Sequence, residues 1–206
     1  MKLRLPEEGM KDFWEVCHEN TSSRYLGAFC RRAYEAFLKI KTNIQEANTI
    51  LEIGVGEGIA TREMAVGEKE IHVLDIAKTA LERVKDIATG WQLSEIDQLP
   101  KNYFDLAISH LVAQHINDDA LMLHLSHVIP SLKEAGVFAL QFSIALEDDQ
   151  PVTEICMREG LVTRSESVVA EMVQKAGGEI IKTVPQKTWP KWGLVWNGMH
   201  IIRSRK

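Results

Sequence analysis

Short apolar runs alternate with segments of helical periodicity along most of the chain. From Thr49 onward the runs are TILEI, IHVLD, FDLAIS and GVFALQF, and they are separated by segments such as IAKTALERVKDIA and NDDALMLHLSHVIPSL. Continuous apolar runs are typical of strands buried on both faces, whereas the intervening segments repeat apolar residues at helical spacing. The alternation predicts β-α-β crossovers, and hence a doubly wound, mostly parallel, seven-stranded sheet of the Rossmann-like α/β class.

The pattern changes at both ends of this region. Residues 1–48 are helical in periodicity and rich in aromatics, which predicts an N-terminal helical annex. Two final apolar runs, EIIKTV and LVWNGMHIIR, follow each other without a helix, so one of them is expected to form an antiparallel strand at the edge of the sheet. We therefore predict one domain over residues 1–206, with a core at 49–142 and a lid loop and substrate-side elements at 143–206.

Charge and cysteine content exclude several classes of partner. The net charge of -5 and pI of about 5.8 disfavour binding to nucleic acid or to anionic membranes. The three cysteines, Cys17, Cys30 and Cys156, form no C-x-x-C pair, so neither a disulfide framework nor a metal site is predicted. Without an apolar segment of spanning length or a signal peptide, the chain is expected to be cytoplasmic.

The first strand runs into the glycine-rich segment LEIGVGEG, with glycines at 54, 56 and 58. A dinucleotide-binding turn has the spacing G-x-G-x-x-G, which places its third glycine one position later. Glu52 lies in the motif, where a carboxylate repels a pyrophosphate and attracts a cation such as a sulfonium. Asp75 ends the second strand, where its two oxygens suit the hydroxyls of a ribose. The alternatives for these residues are a structural turn and a helix N-cap.

With these residues the sequence resembles the class I S-adenosylmethionine-dependent methyltransferases, especially the small methyltransferase-domain group. The resemblance covers about residues 49–142 and rests on LEIGVGEG, Asp75, SEIDQLPKNYFDLAISHLVAQHI and VIPSLKEAGVFALQF, in that order. It departs from the family at Ala135, where glycine is usual, and at Glu95, where aspartate is more frequent. The resemblance implies S-adenosylmethionine as cofactor and S-adenosylhomocysteine as product.

The resemblance also implies roles for individual residues. The methionine half of the cofactor would lie against Glu52, Gly54 and Gly56, with Gly58 allowing close packing of the following helix, and Asp75 would bind the ribose. Around the adenine would lie Ile76, Glu95 and Ile96, while Ser109 and His110 would form the floor that faces the substrate.

Candidates for acceptor chemistry lie after the fourth strand and among the aromatics. His110 and His115 are candidate bases for removing a hydroxyl proton, with His110 preferred and a structural role favoured for His115. Aromatic residues that would wall a substrate pocket, or simply pack in the core, are Trp14, Tyr25, Trp189 and Trp192. The acidic run at 147–149 is interpreted as a hydrated loop.

The strand-four sequence SHLV differs from the Asn/Asp-Pro-Pro-aromatic motif of amino-directed nucleic-acid methyltransferases. We therefore expect a small-molecule acceptor, with O-methylation of a sugar, glycan or metabolite hydroxyl favoured. The alternatives are a small-molecule N-methyltransferase, a non-catalytic S-adenosylmethionine-binding partner subunit, and a nicotinamide-dependent oxidoreductase. The oligomeric state stays open.

Overall fold

One eight-stranded sheet organises the computed structural model, which describes residues 11–12, 14–16, 40–145, 162, 164–184, 188–189 and 194–205. Because the buried runs predicted from Thr49 to Phe142 alternate with helical segments, the first five strands are joined in turn across the faces of the sheet. The strands are β1 (Thr49–Ile53), β2 (Glu70–Asp75), β3 (Thr89–Gln92), β4 (Phe104–Ser109), β5 (Leu132–Ala145), β6 (Gly178–Val184), β7 (Thr188–Trp189) and β8 (Leu194–Ser204).

The strand order is β3-β2-β1-β4-β5-β8-β6, with the short β7 paired to β8. Strands β1 to β5 pair in parallel, and β8 pairs antiparallel with both β5 and β6. The predicted class is confirmed: a mostly parallel, seven-stranded Rossmann-like path with one antiparallel strand near its edge. Since β8 returns between β5 and β6, β6 takes the outermost position.

Helices flank the sheet, and two of those in the described part of the chain begin at a side-chain cap. Asn117 caps its helix through Oδ1, which accepts the Ala120 N–H at 2.8 Å, and Ser165 caps the last helix through the Val168 N–H at 3.3 Å. The helices are α1 (Lys41–Glu46), α2 (Ile59–Met64), α3 (Lys78–Glu82), α4 (Asp118–Ser131) and α5 (Glu166–Lys175), with a 3-10 helix at Leu93–Gln98.

The segment IAKTALERVKDIA is less helical than its periodicity predicts. Helix α3 ends at Glu82, and the chain continues as turns in which the Val84 N–H bonds the Leu81 carbonyl at 3.2 Å. The turns occupy the residues between Glu82 and Thr89, where β3 begins. Because this connection is short, the α-helix ends early. None of the helices in the described part of the chain is long and apolar enough to span a membrane.

Two apolar clusters pack on opposite faces of the sheet. One joins β4 and β5 residues such as Phe104 and Phe138 to α4 and α5, and the other joins Ile50 and Val73 to Met64. Burial on both faces explains why the parallel strands are continuous apolar runs.

At the amino end of β4, Asp105 accepts backbone N–H bonds from Asn48 and Thr49 and an ion pair from Lys133 at 2.8 Å. Burial alone would raise the pKa of Asp105, but the bond from Lys133 and the other hydrogen bonds outweigh it and hold the pKa at about 2. This end of the sheet is therefore locked by structural polar contacts.

Candidate cofactor and acceptor site

The chemistry-bearing residues meet where the strand order reverses. Strand β1 lies between β2 and β4, and Ile53 is in register with Leu74 on one side and with Ser109 on the other. The Gly54 N–H continues this ladder by donating to the Leu74 carbonyl at 2.9 Å. Ligands of open α/β sheets bind in the crevice at such a reversal, outside the carboxyl ends of the strands.

All three motif glycines take a left-handed backbone conformation, with φ of 81° at Gly54, 56° at Gly56 and 72° at Gly58. A Cβ at Gly54 would lie 2.1 Å from Val112 Cγ2, so a side chain there would also clash with the loop after β4. At Gly58 the neighbour is Val84, at 2.5 Å, which reflects close packing beside α2. Gly56 differs, because nothing lies within 4 Å of its Cβ position and the backbone there faces open space.

Asp75 ties the turn after β1 to the segment before α3. Its Oδ2 accepts the Val55 N–H at 2.7 Å and its Oδ1 accepts the Ala77 N–H at 2.8 Å. The side chain is buried, so these bonds hold both chain segments at the carboxyl ends of β1 and β2. The helix cap of α3 is Ala77, and Asp75 lies two residues before it.

Glu52 is buried beside Asp75 and is held by one hydrogen bond. Thr61 Oγ1, from α2, donates to Glu52 Oε2 at 2.5 Å. Burial, with a further contribution from the Asp75 charge, outweighs that bond and raises the pKa of Glu52 to about 8. The expectation of a standing negative charge needs correction, because Glu52 is mostly protonated at pH 7 until a cation offsets the desolvation.

The three residues expected near an adenine follow the carboxyl ends of β2 and β3. Ile76 is half-buried, and Ile96 is buried at 5% exposure in the core between β2 and α4. Glu95 Oε2 accepts the Gln92 N–H at 2.8 Å and so closes the capping box of the 3-10 helix. Ile76 thus follows β2, and Glu95 and Ile96 follow the neighbouring β3, whose last residue, Gln92, is in register with Asp75. Glu95 also has a structural bond.

The post-β4 loop (residues 110–116) joins β4 to α4 and carries both candidate bases. Ser109, buried at the end of β4, precedes it, and burial lowers the pKa of His110 to about 4. His110 is therefore neutral at physiological pH, with its protonated form disfavoured. The acid limb of a His110-dependent reaction is accordingly expected near pH 4 rather than near neutrality.

His115 meets one of the annex aromatics. Its ring lies 5.2 Å from the Trp14 ring in an edge contact at 72°, and His115 Nε2 lies 3.3 Å from Gln114 Nε2. Trp189 lies in β7, where its backbone pairs with Leu194 of β8. Tyr25 and Trp192 lie outside the described residues.

Several polar residues that hold this site have no marked signal in the sequence. Thr61 bonds Glu52, Gln141 bonds the Leu111 N–H at 2.5 Å, and Arg164 bonds the post-β4 loop. Glu15 reaches α3 from the annex, over a separation of 64 residues to Thr79. These contacts join positions that are far apart in the chain. They could not be predicted, because a single sequence shows only the spacing of residues within a motif. Within the described ranges, no three potential ligands cluster as a metal site would require.

Comparisons with known proteins agree with this geometry. Residues 50–136 match the model of the family described as methyltransferase domain. No curated protein sequence matches the chain.

Three solved structures share the fold at low sequence identity. Burkholderia thailandensis 1,6-didemethyltoxoflavin-N1-methyltransferase, solved with 1,6-didemethyltoxoflavin and S-adenosylhomocysteine, has a TM-score of 0.72 at 17% identity, covering 99% of this chain and 92% of that one. The mitomycin 7-O-methyltransferase MmcR has a TM-score of 0.61 at 19% identity, covering 93% and 60%. A putative Haloferax volcanii methyltransferase in complex with the Trm112 activator has a TM-score of 0.64 at 12% identity, covering 94% and 98%.

The matched residues run from Ile50 in β1 to Gly136 in β5, and they include the glycine turn, Asp75 and the post-β4 loop. The resemblance seen in the sequence is confirmed by the family model and by the fold. Residues 50–136 of this chain match the methyltransferase domain model, and the chain has the Rossmann-like fold of the solved methyltransferases.

Proposed function

We propose that this chain is an S-adenosylmethionine-dependent methyltransferase acting on a small molecule. The observation that carries the proposal is the convergence of an open glycine turn, two buried acids and a neutral histidine on three adjacent strands. Residues 1–206 would act as one domain, in which the cofactor lies along β1 and β2 and the acceptor lies against the post-β4 loop. The annex (1–48) and residues 143–206 would complete the acceptor side.

The residues present fit this cofactor. Gly56 has open space where a side chain would lie, so a ligand has room to contact the backbone there. Glu52 is a buried acid whose ionisation a neighbouring sulfonium or ammonium would favour, and Asp75 is a buried carboxylate, whose oxygens are acceptors of the kind that ribose hydroxyls need. The bound S-adenosylhomocysteine of the toxoflavin enzyme supports the same choice of cofactor.

Within this proposal, we favour a hydroxyl as the acceptor, and hence O-methylation. Neighbours of this fold methylate at nitrogen and at oxygen, so the preference rests on His110. Burial keeps His110 neutral above about pH 4, and a neutral imidazole nitrogen is able to take a hydroxyl proton. Among the described side chains from Ser109 to Ile116 there is no carboxylate or ammonium, which suits an uncharged sugar, glycan or other metabolite.

The protein's contribution to such a reaction is mainly alignment. S-adenosylmethionine, when bound, supplies a methyl group already activated by the sulfonium charge. Asp75 and the glycine turn would fix its position, and Trp14 and His115 would orient the acceptor. His110 would accept the proton that the acceptor hydroxyl releases when its oxygen is methylated, and S-adenosylhomocysteine would be the leaving group. Holding two reactants in line lowers the barrier without any covalent enzyme intermediate.

The direct test is methyl transfer from S-adenosylmethionine carrying a deuterated methyl group, with products identified by mass spectrometry. The acceptor panel pairs sugar and aryl hydroxyls with ring N–H and amine analogues of similar shape. Labelled O-methyl products are expected, and exclusive labelling of nitrogen would overturn the preference for oxygen. Cofactor binding without turnover on any acceptor would favour the partner-subunit alternative, whereas binding of NAD alone would favour the oxidoreductase.

A further inference from the structure

The post-β4 loop holds an unusual backbone conformation. Leu111 has a φ of 58°, in the left-handed region that a branched, bulky side chain rarely adopts. Its N–H donates to Gln141 Oε1, from β5, at 2.5 Å, and Gln141 is fully buried. A strained residue persists only when its surroundings hold it, and such residues cluster at functional sites.

Arg164 holds the same loop from the other side. Its guanidinium donates to the Ala113 carbonyl at 2.7 Å, to the Ile116 carbonyl at 2.7 Å and to Asp118 Oδ1 at 2.9 Å. Only 5% of Arg164 is exposed, so these bonds satisfy its donors away from water. The planar fork of an arginine can bridge two carbonyls at once, which the point charge of a lysine cannot reproduce.

Hydrogen bonds from the neighbouring segments also reach Gln114, which lies next to His115, the ring that contacts Trp14. The Val162 N–H donates to the Gln114 carbonyl at 2.6 Å, and Gln141 Nε2 donates to Gln114 Oε1 at 3.5 Å. Gln114 in turn lies beside His115. The Arg164 guanidinium and the Gln141 amide therefore fix the loop at both of its ends, behind the side chains that carry the acceptor chemistry.

We propose that Arg164 is a positioning residue for methyl transfer, because its bonds to Ala113 and Ile116 set the loop conformation that places His110 and His115 against the acceptor. This inference rests on the proposed function. Arg164 acts through the loop backbone, so its removal would disturb acceptor alignment and leave cofactor binding on β1 and β2 intact.

The test compares Arg164→Gln and Arg164→Lys with the wild type and with Arg203→Gln as control. Arg203 is half exposed and pairs with Glu179 on the far strands, so its loss removes an arginine without touching the loop. Asp118→Asn is a milder variant, since it changes one Arg164 partner and leaves both carbonyl bonds. Each protein is checked for folding by its melting temperature and for S-adenosylhomocysteine affinity by calorimetry.

Two readouts separate positioning from general stability. Histidine-ring NMR signals, recorded with and without S-adenosylhomocysteine, and hydrogen exchange at the Leu111 amide need no acceptor. In both Arg164 variants the His110 and His115 signals should shift and Leu111 should exchange faster, while His72, bonded to Trp91 on the far edge, serves as internal reference. With an acceptor found for the wild type, kcat should fall by about 10- to 100-fold while cofactor affinity changes by less than about threefold.

Unchanged ring signals and Leu111 exchange in folded Arg164→Gln would overturn the inference, as would full turnover of Arg164→Lys. Loss of cofactor affinity in parallel with kcat would also overturn it, because the residue would then support the whole fold. A wild-type protein that binds no S-adenosylhomocysteine would instead contradict the proposed function, while the ring spectra of the free protein would still test the Arg164 contacts.

Discussion

Asp75 has a structural role that its predicted ligand role did not include. The Val55 and Ala77 N–H groups both depend on it, so its removal leaves two buried donors without their acceptor. We expect Asp75→Ala to lower the melting temperature and to weaken S-adenosylhomocysteine binding by about 10- to 100-fold, the effect of losing charged hydrogen bonds. Calorimetry and thermal melts measure the two effects. Asp97→Ala, an exposed aspartate of the 3-10 helix, is the control, and an unchanged affinity in Asp75→Ala would remove Asp75 from the cofactor site.

Glu52 makes the stability of the free protein depend on pH. Its pKa is about 8 in the folded chain and 4.5 when unperturbed, so the unfolded state loses this proton at lower pH than the folded state. The contribution of Glu52 to stability is therefore full below pH 4.5 and is lost as the pH rises towards 8. We expect Glu52→Gln, which stays neutral, to lose less stability than the wild type over this range in chemical denaturation. Parallel curves for the two proteins would show that Glu52 ionises normally.

The same residue predicts proton release on cofactor binding. A sulfonium or ammonium beside Glu52 favours its charged form, so binding at pH 7 should release a proton from the wild type. Calorimetry in buffers of different ionisation enthalpy measures this number directly. Glu52→Gln should release none and bind more weakly, and equal proton release by both proteins would assign the proton to another group.

His110 is the residue on which the oxygen preference depends. We expect His110→Ala to lower turnover by about 10²- to 10⁴-fold with near-normal cofactor affinity, as expected for loss of a general base. Because burial lowers the pKa of His110 to about 4, the wild-type pH profile should fall on the acid side near that value, and the mutant should lack this limb. His127→Ala, on the half-buried side of α4, is the histidine control. Nearly full turnover of His110→Ala would mean that alignment suffices.

At the scale of elements, Glu15 attaches a helical part of the annex, described at residues 11–12 and 14–16, to the start of α3. This carboxylate accepts the Lys78 N–H at 2.6 Å and the Thr79 hydroxyl at 2.6 Å. We expect Glu15→Gln to loosen this attachment and to raise hydrogen exchange at the Lys78 and Thr79 amides, since a neutral amide is a weaker acceptor than a carboxylate. Asp12→Asn, an exposed acid on the same helix, is the matched control. Equal exchange in both variants would show that the Glu15 carboxylate does not hold the annex against α3.

The alternation of runs predicted the sheet class and most elements correctly, because strands buried on both faces leave a local signal. The N-caps at Asn117 and Ser165 are also local features, because each cap residue lies directly before its helix. The early end of α3 could not be predicted, since it depends on the short connection to β3. The bonds of Arg164 and Glu15 could not be predicted either, because their partners lie tens of residues away and an isolated arginine or glutamate carries no motif.

At the scale of the whole molecule, the two ends of the parallel strands have different roles. The amino ends are locked by structural contacts, such as Asp105 with Lys133 and Thr49. The carboxyl ends of β1, β2 and β4 bring together the glycine turn, Glu52, Asp75 and His110. The sequence predicts the site at this second end because the order of motifs along a doubly wound sheet determines which strand ends are neighbours.

The central claim is that this site binds S-adenosylmethionine and its product. The most direct measurement is calorimetric titration of the wild-type protein with S-adenosylhomocysteine, with NAD as the competing ligand and a thermal melt in parallel. The account predicts micromolar binding of S-adenosylhomocysteine, a rise in melting temperature as mass action requires, and no binding of NAD. Absence of heat and of any melting shift at millimolar S-adenosylhomocysteine would contradict it.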